Sequence, residues 1–260
     1  MKYFVADAFT DALFGGNPAG VCLLAAPLDT ALMQQIAAEN NLAETAFLLR
    51  RDDGDYDLRW FTPEVEIDLC GHGTLASAFV LHDIVRTNAD IYRFHTKSGL
   101  LTVTPRGDLY EMDFPARPPR PVEITPQMRA ALGCHILEAH RSRDLLLLLE
   151  SEAAVRDLRP DFAALAALPE SFGIIVTAAD DSGGFVSRFF APGAGIPEDP
   201  VTGSAHATLI PFWAARLGEN RLTARQLSKR GGTLYCENCG ARVKIAGRAA
   251  LYLAGEIHII

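Results

Sequence analysis

The chain has 260 residues, of which 49% are hydrophobic and 22% charged, enough apolar sequence for a large packed core and too much for disorder. Its formal net charge of −8 leaves no basic excess to neutralise phosphates, which argues against nucleic acid or an anionic membrane as partner. No apolar run reaches the roughly 18 residues a membrane span needs, and no basic stretch leads into a long apolar one at the start, so a cytoplasmic location is expected. Five cysteines, an odd number, fit reduced thiols better than a disulfide framework. The length allows one large α/β unit or two domains of about 120 to 130 residues each.

In chain order, residues 2–9 read as a strand, and the cluster Phe14-Gly15-Gly16-Asn17-Pro18-Ala19-Gly20 as a turn leading into an apolar run over 21–25. Asp29 is placed to cap a helix over 31–39, which Asn40-Asn41 ends. Two strands, 44–50 and 56–61, flank the hairpin turn Asp52-Asp53-Gly54-Asp55. A helix is predicted to begin near Gly73 and run to about residue 81, followed by strand-like runs at 91–96, 100–104 and 109–114.

The segment Pro115-Ala116-Arg117-Pro118-Pro119-Arg120-Pro121 cannot continue a helix or a central strand, and it sets the expected domain boundary. The expected domains are 1–115 and 116–249, with 250–260 able to return to the first. The second half reads as a helix over 126–132, a strand over 144–150, a helix over 161–168 and a strand over 173–178. A turn at 180–184, a strand over 185–190 and a helix starting near Ser204 follow, and the tail from Leu227 alternates strand-like runs with glycine turns.

Laid side by side, the halves repeat. Arg59-Trp60-Phe61-Thr62-Pro63 matches Arg188-Phe189-Phe190-Ala191-Pro192 at an offset of 129 residues, Cys70 falls on Asp199, and with one insertion Gly73-Thr74 falls on Gly203-Ser204. Each copy follows a helix, a strand, an Asp-Asp-Gly-type turn and a strand. Two unrelated hairpins sharing a chance motif would also produce the match. A true duplication would place the two corners on one cleft between domains, where ligands commonly bind.

Four groups carry candidate chemistry. Glu44 heads an apolar strand, where it is either a partly desolvated carboxylate suited to proton transfer or an ordinary solvated glutamate. The corner Cys70-Gly71-His72-Gly73-Thr74 places two glycines at a helix start, which suits an anionic substrate group. There His72 either orients a substrate or serves as a structural hydrogen-bond donor, and Cys70 is a nucleophile only if its pKa is lowered. At the second corner Asp199 can hold an amine or a catalytic partner, and Gly203 and Ser204 can hold an anion through N–H and hydroxyl groups. Thr202 and His206 occupy the glycine positions of a serine-hydrolase elbow, which disfavours that chemistry. The pair Cys236 and Cys239 is a lone Cys-x-x-Cys without a second pair of ligands nearby, so no metal site is expected.

Taken together, these residues resemble the phenazine-biosynthesis PhzF-like family, with the diaminopimelate-epimerase-like fold. The matching pieces are Phe9-Thr10 with Phe14-Gly15-Gly16-Asn17-Pro18-Ala19-Gly20; Asn41-Leu42-Ala43-Glu44-Thr45-Ala46-Phe47; Arg59-Trp60-Phe61-Thr62-Pro63 with Asp68-Leu69-Cys70-Gly71-His72-Gly73-Thr74-Leu75-Ala76; Pro197-Glu198-Asp199-Pro200-Val201-Thr202-Gly203-Ser204-Ala205; and Ser228-Lys229-Arg230-Gly231-Gly232. The resemblance implies an α+β fold of two pseudo-symmetric domains, each a curved, mostly antiparallel sheet around a central helix, and usually a homodimer. It implies cofactor-independent isomerisation of a small molecule by proton transfer, with Glu44 as general acid/base. His72, Asp199 and Ser204 would bind substrate, helped by the backbone at Gly73 and Gly203. A metabolite-binding protein of the same fold without turnover is the alternative. Gly73 departs from the family's frequent alanine, and Lys229 from its frequent glutamine.

Overall fold

The structure, a computed structural model, describes residues 1–169 and 172–259. The chain divides into two units, Met1–Asp113 together with Ala246–Ile260, and Phe114–Ile245.

The first unit opens with β1 (Lys2–Ala8) and β2 (Asn17–Leu24), then α1 (Thr30–Asn40), β3 (Glu44–Arg50), β4 (Tyr56–Phe61) and the short β5 (Glu66–Ile67). Helix α2 (Gly71–Phe79) and a π-helical turn at Val80–Ile84 lead to β6 (Tyr92–Thr96), β7 (Gly99–Arg106) and β8 (Leu109–Pro115). Pairing runs β1–β2–β3–β4–β6–β7–β8, with β5 on the flank of β4. The β2–β3 and β4–β6 pairs are parallel, because a helix crosses over between the strands of each.

Both helices have sequence reasons for their ends. Asp29 caps α1 by accepting the Ala31 N–H, and Asn41 ends it in left-handed backbone at φ 48°. Side chains alternate along β3. Phe47 points to a cluster with Cys22, Met33, Ile36, Ala37 and Phe61 under α1. Glu44 points to the opposite side, where α2 lies. Every residue of α2 is buried, and the helix touches β1, β2, β3 and β7, so the sheet curls around it.

The second unit continues with β9 (Arg120–Val122), α3 (Pro126–Leu132), β10 (Glu138–Arg141), β11 (Leu145–Leu148), α4 (Glu152–Arg156), α5 (Phe162–Ala166), β12 (Ile174–Ala179), β13 (Phe185–Ala191) and β14 (Ile196–Asp199). Helix α6 (Gly203–Leu217), β15 (Arg221–Gln226), β16 (Gly232–Asn238) and β17 (Arg242–Gly247) complete it. The chain then runs into β18 (Ala249–Glu256), which pairs antiparallel with β1. Ile260, the last residue of the segment expected to return, lies outside the described residues.

Pairing in the second unit runs β9–β10–β11–β12–β13–β15–β16, with β14 on β13 and the β11–β12 and β13–β15 pairs parallel. Counted from β10, this is the order of the first unit from β1, with β9 added outside it. Helix α6 is held as α2 is: Trp213 Nε1 donates to Thr177 Oγ1 at 2.9 Å, and the rings of Phe185 and His140 lie against Trp213 and Phe212. The Arg59 and Arg188 side chains repeat too. Arg59 Nε donates to Glu66 at 2.7 Å and lies over Phe61, and Arg188 Nε donates to Glu198 at 2.7 Å and lies over Phe190.

Several expected boundaries move. Strand β2 begins at Asn17, inside the predicted turn cluster, and Pro18 is tolerated because pairing with β3 starts only at Ala19. Helix α2 starts at Gly71, two residues early. The proline-rich stretch is not all connector: Pro115 closes β8, and Pro121 sits in the edge strand β9 opposite His140. Strand β15 and helix α4 had no expectation at all. Both are short and carry charges, so their apolar period is weak.

Candidate active site

In the first unit, β2, β3 and the head of α2 converge. Cys70 is the N-cap of α2: its Sγ accepts the Gly73 N–H at 3.3 Å, and its carbonyl accepts the Thr74 hydroxyl at 2.5 Å. His72, two residues on, is thereby turned toward the start of β3. Its Nε2 lies 2.8 Å from Glu44 Oε2. The residue Glu44 is 8% exposed and His72 5%, so this pair is held out of bulk water. Although the distance is that of an ion pair, Oε2 is not aligned to accept a hydrogen bond and has no other hydrogen-bond donor. The carboxylate therefore keeps a lone pair available for a proton.

Asn17, at the first position of β2, completes the cluster with its amide Nδ2 3.3 Å from His72 Nδ1. The sequence reading placed Asn17 in a turn and assigned it no role; the available signal was an amide at the head of an apolar strand. Burial works against a charged His72, but the Glu44 carboxylate beside it outweighs burial and holds the imidazole pKa well above its ordinary 6.5. Burial pushes the Cys70 thiol up. Glu44, Cys70 and His72 bring donor atoms within 4.8 Å of one another. A neutral thiol already used as a helix cap is a poor metal ligand, however, and the arrangement suits proton handling better.

Gly73 sits in a crowded place. A Cβ there would stand 3.0 Å from both Cys70 Sγ and Trp60 Cδ1. The departure from alanine thus accompanies the buried indole beneath the helix start.

The second unit holds the other expected residues together. Asp199 ends β14, Gly203 and Ser204 open α6, and Thr202 is the N-cap. The Thr202 hydroxyl donates to Asp199 Oδ2 at 2.5 Å instead of capping the helix. Gln226, 1% exposed, fixes the turn by accepting the Thr202 N–H at 2.9 Å and donating to the Asp199 carbonyl at 2.8 Å. Arg143 Nη2 donates to Ser204 Oγ at 3.2 Å. Sequence reasoning missed Gln226 and Arg143, since both are distant in the chain from the motif they support. His206 is fully buried and donates from Nδ1 to the Thr202 carbonyl at 2.8 Å, and burial pushes its pKa down to about 4. It is a neutral structural residue.

Cys236 is buried in β16, whereas Cys239 is exposed beyond its end. The two thiols occupy different environments. Among the described residues, no helix is long and apolar enough to cross a membrane.

Comparison with known proteins gives one consistent answer. Residues 6–255 match the family model for phenazine biosynthesis-like protein, PhzC-PhzF. An uncharacterised isomerase of Pseudomonas aeruginosa is 50% identical over 259 residues, covering 100% of this chain and 99% of its own. A crystal structure of a PhzF-family phenazine biosynthesis protein from Enterococcus faecalis superimposes with a TM-score of 0.97 at 49% identity, covering 99% of each chain. A putative PhzC/PhzF protein from Clostridium difficile gives a TM-score of 0.95 at 48% identity, with 100% of each chain covered. With its duplicated α+β halves and the Glu44–His72 corner, the chain belongs to the phenazine biosynthesis-like PhzC-PhzF family and is an isomerase.

Proposed function

We propose that the chain shifts a proton within a small carboxylate- or amine-bearing metabolite without a cofactor, using Glu44 as general acid/base. The observation that carries this reading is Glu44 itself: a buried carboxylate with an oxygen that no donor occupies, 2.8 Å from an imidazole whose pKa is raised. Such a group can take a proton from carbon and return it at another position, while His72 answers the change in charge beside it. His72 and the backbone at Gly73 bind and orient the substrate. Asp199, Gly203 and Ser204 are assigned to substrate binding by the family motif they occupy, and their support by Thr202, Gln226 and Arg143 is consistent with a rigid binding corner.

The test is carbon-bound deuterium after incubation of candidate carboxylic and amino acids in deuterium oxide. Wild type is expected to incorporate deuterium into its substrate, and Glu44→Gln to lose at least about 100-fold in rate. Equal exchange by the variant would sink the assignment. A metabolite that binds with no exchange in wild type would instead favour the binding-protein alternative. The proposed assembly is a homodimer, which light scattering of the purified protein checks directly: a monomer mass at working concentration refutes it.

A further inference from the structure

The link between β1 and β2 is built to deliver one side chain. Phe9 and Phe14 take left-handed backbone at φ 65° and 69°, uncommon for bulky residues. Gly16 does so at φ 59°, where a Cβ would stand 2.1 Å from the Ala8 carbonyl oxygen, so that only glycine fits. Asp7, 3% exposed, ties the link down by accepting the Phe14 N–H at 2.9 Å. The next residue is Asn17, fully buried, with its amide against His72 Nδ1. Backbone strain of this kind persists only where the surroundings impose it.

The two nitrogens of an imidazole are told apart by the hydrogen bond that the other one makes. We propose that Asn17 is a positioning residue, which holds His72 Nδ1 and so keeps the proton of the neutral ring on Nε2, the nitrogen 2.8 Å from Glu44 Oε2. The amide has a further property that a carbonyl, which only accepts, or an ammonium, which only donates, lacks in this place. Its NH2 donates to a bare Nδ1, and after a half-turn of the amide its oxygen accepts from a protonated one. His72 can therefore change charge in a buried site with a partner in both states. The titratable groups that face the ring are Glu44 from β3 and Cys70 at the head of α2, whose Sγ lies 3.6 Å from Nδ1.

The second unit uses the corresponding link in the same way. Arg143 lies in the turn between β10 and β11, the counterparts of β1 and β2, and reaches Ser204 at the head of α6. In both halves, then, a polar side chain from the link between the first two strands of the repeat supports the corner residue. Only the contribution of Asn17 to turnover rests on the acid/base reading of Glu44; its hold on the ring does not.

Nitrogen NMR of histidine-labelled full-length protein, with no substrate present, tests this. In wild type the neutral form of His72 is expected to carry its proton on Nε2. Asn17→Leu, which cannot hydrogen-bond, is expected to lose that single tautomer, the neutral ring then sampling both Nδ1–H and Nε2–H. Asn17→Asp, which adds a charged acceptor, is expected to titrate about one unit or more higher. A wild-type proton on Nδ1, a folded Asn17→Leu with the single Nε2–H tautomer unchanged, or a folded Asn17→Asp with unchanged His72 titration would overturn the proposal. The wild-type spectrum decides even if both variants fail to fold. Since no turnover is measured, failure here is distinct from failure of the Glu44 assignment, which registers in deuterium exchange.

Discussion

At the scale of the residue, His72 and His206 show how burial yields opposite results according to what stands nearby. Both are buried, but His72 faces Glu44 and Cys70, whereas His206 offers Nδ1 to a backbone carbonyl and stacks near Phe185. His72 therefore has its folded pKa raised above the 6.5 of an unfolded chain. Its contribution to stability is fully present below pH 6.5 and is lost as pH rises through the folded value. Denaturant titrations of wild type and His72→Gln should show the advantage of wild type shrinking as pH rises from 6.5; a constant difference would contradict the pairing. His206 has the reverse sign. Its pKa is depressed to about 4, so the stability it carries is present above 6.5 and disappears as pH falls toward that value. The shift is worth about 3 kcal/mol, and replacing His206 by Asn should flatten that part of the acid unfolding profile measured by circular dichroism.

At the scale of the element, the start of α2 is the most constrained piece of the chain. The helix gains its cap from a cysteine, its close approach to Trp60 from Gly73, and its contact with Glu44 from His72. Gly73→Ala should favour the helix by up to about 1 kcal/mol through propensity. The added Cβ meets the rigid indole of Trp60, fully buried, and the capping Cys70 Sγ, and overpacking of this kind typically costs about 1 to 3 kcal/mol. The net expectation is a lower melting temperature, and a rise would show that Trp60 and Cys70 move aside. The ends of α1 were legible because Asp29 and Asn41 have local capping chemistry. The first turn of α2 was not, because a cysteine cap and two glycines carry no such signal. Strand β15 was missed for a related reason: Arg221, Thr223 and Arg225 alternate with small or apolar residues in a way that a loop also shows.

At the scale of the whole molecule, the duplication is the organising fact. The two units connect eight of their elements in the same order, and they retain an arginine–glutamate pair over an aromatic ring at matching places. What diverged is the corner chemistry. The first unit has Cys70 as cap and a Glu–His pair behind it, and the second has Thr202 as cap with Asp199 outside and a glutamine holding the turn. By itself, the sequence determined the α+β class, the repeat, most strand and helix positions and the family, because alternation, capping residues and short motifs are local properties of the chain. Only the tertiary structure decided that Glu44 is buried against His72, that Asn17 stands behind it, and that Gln226 and Arg143 support the second corner. Those contacts join residues dozens of positions apart, and desolvation and hydrogen bonding depend on what the fold brings together, which no local pattern records.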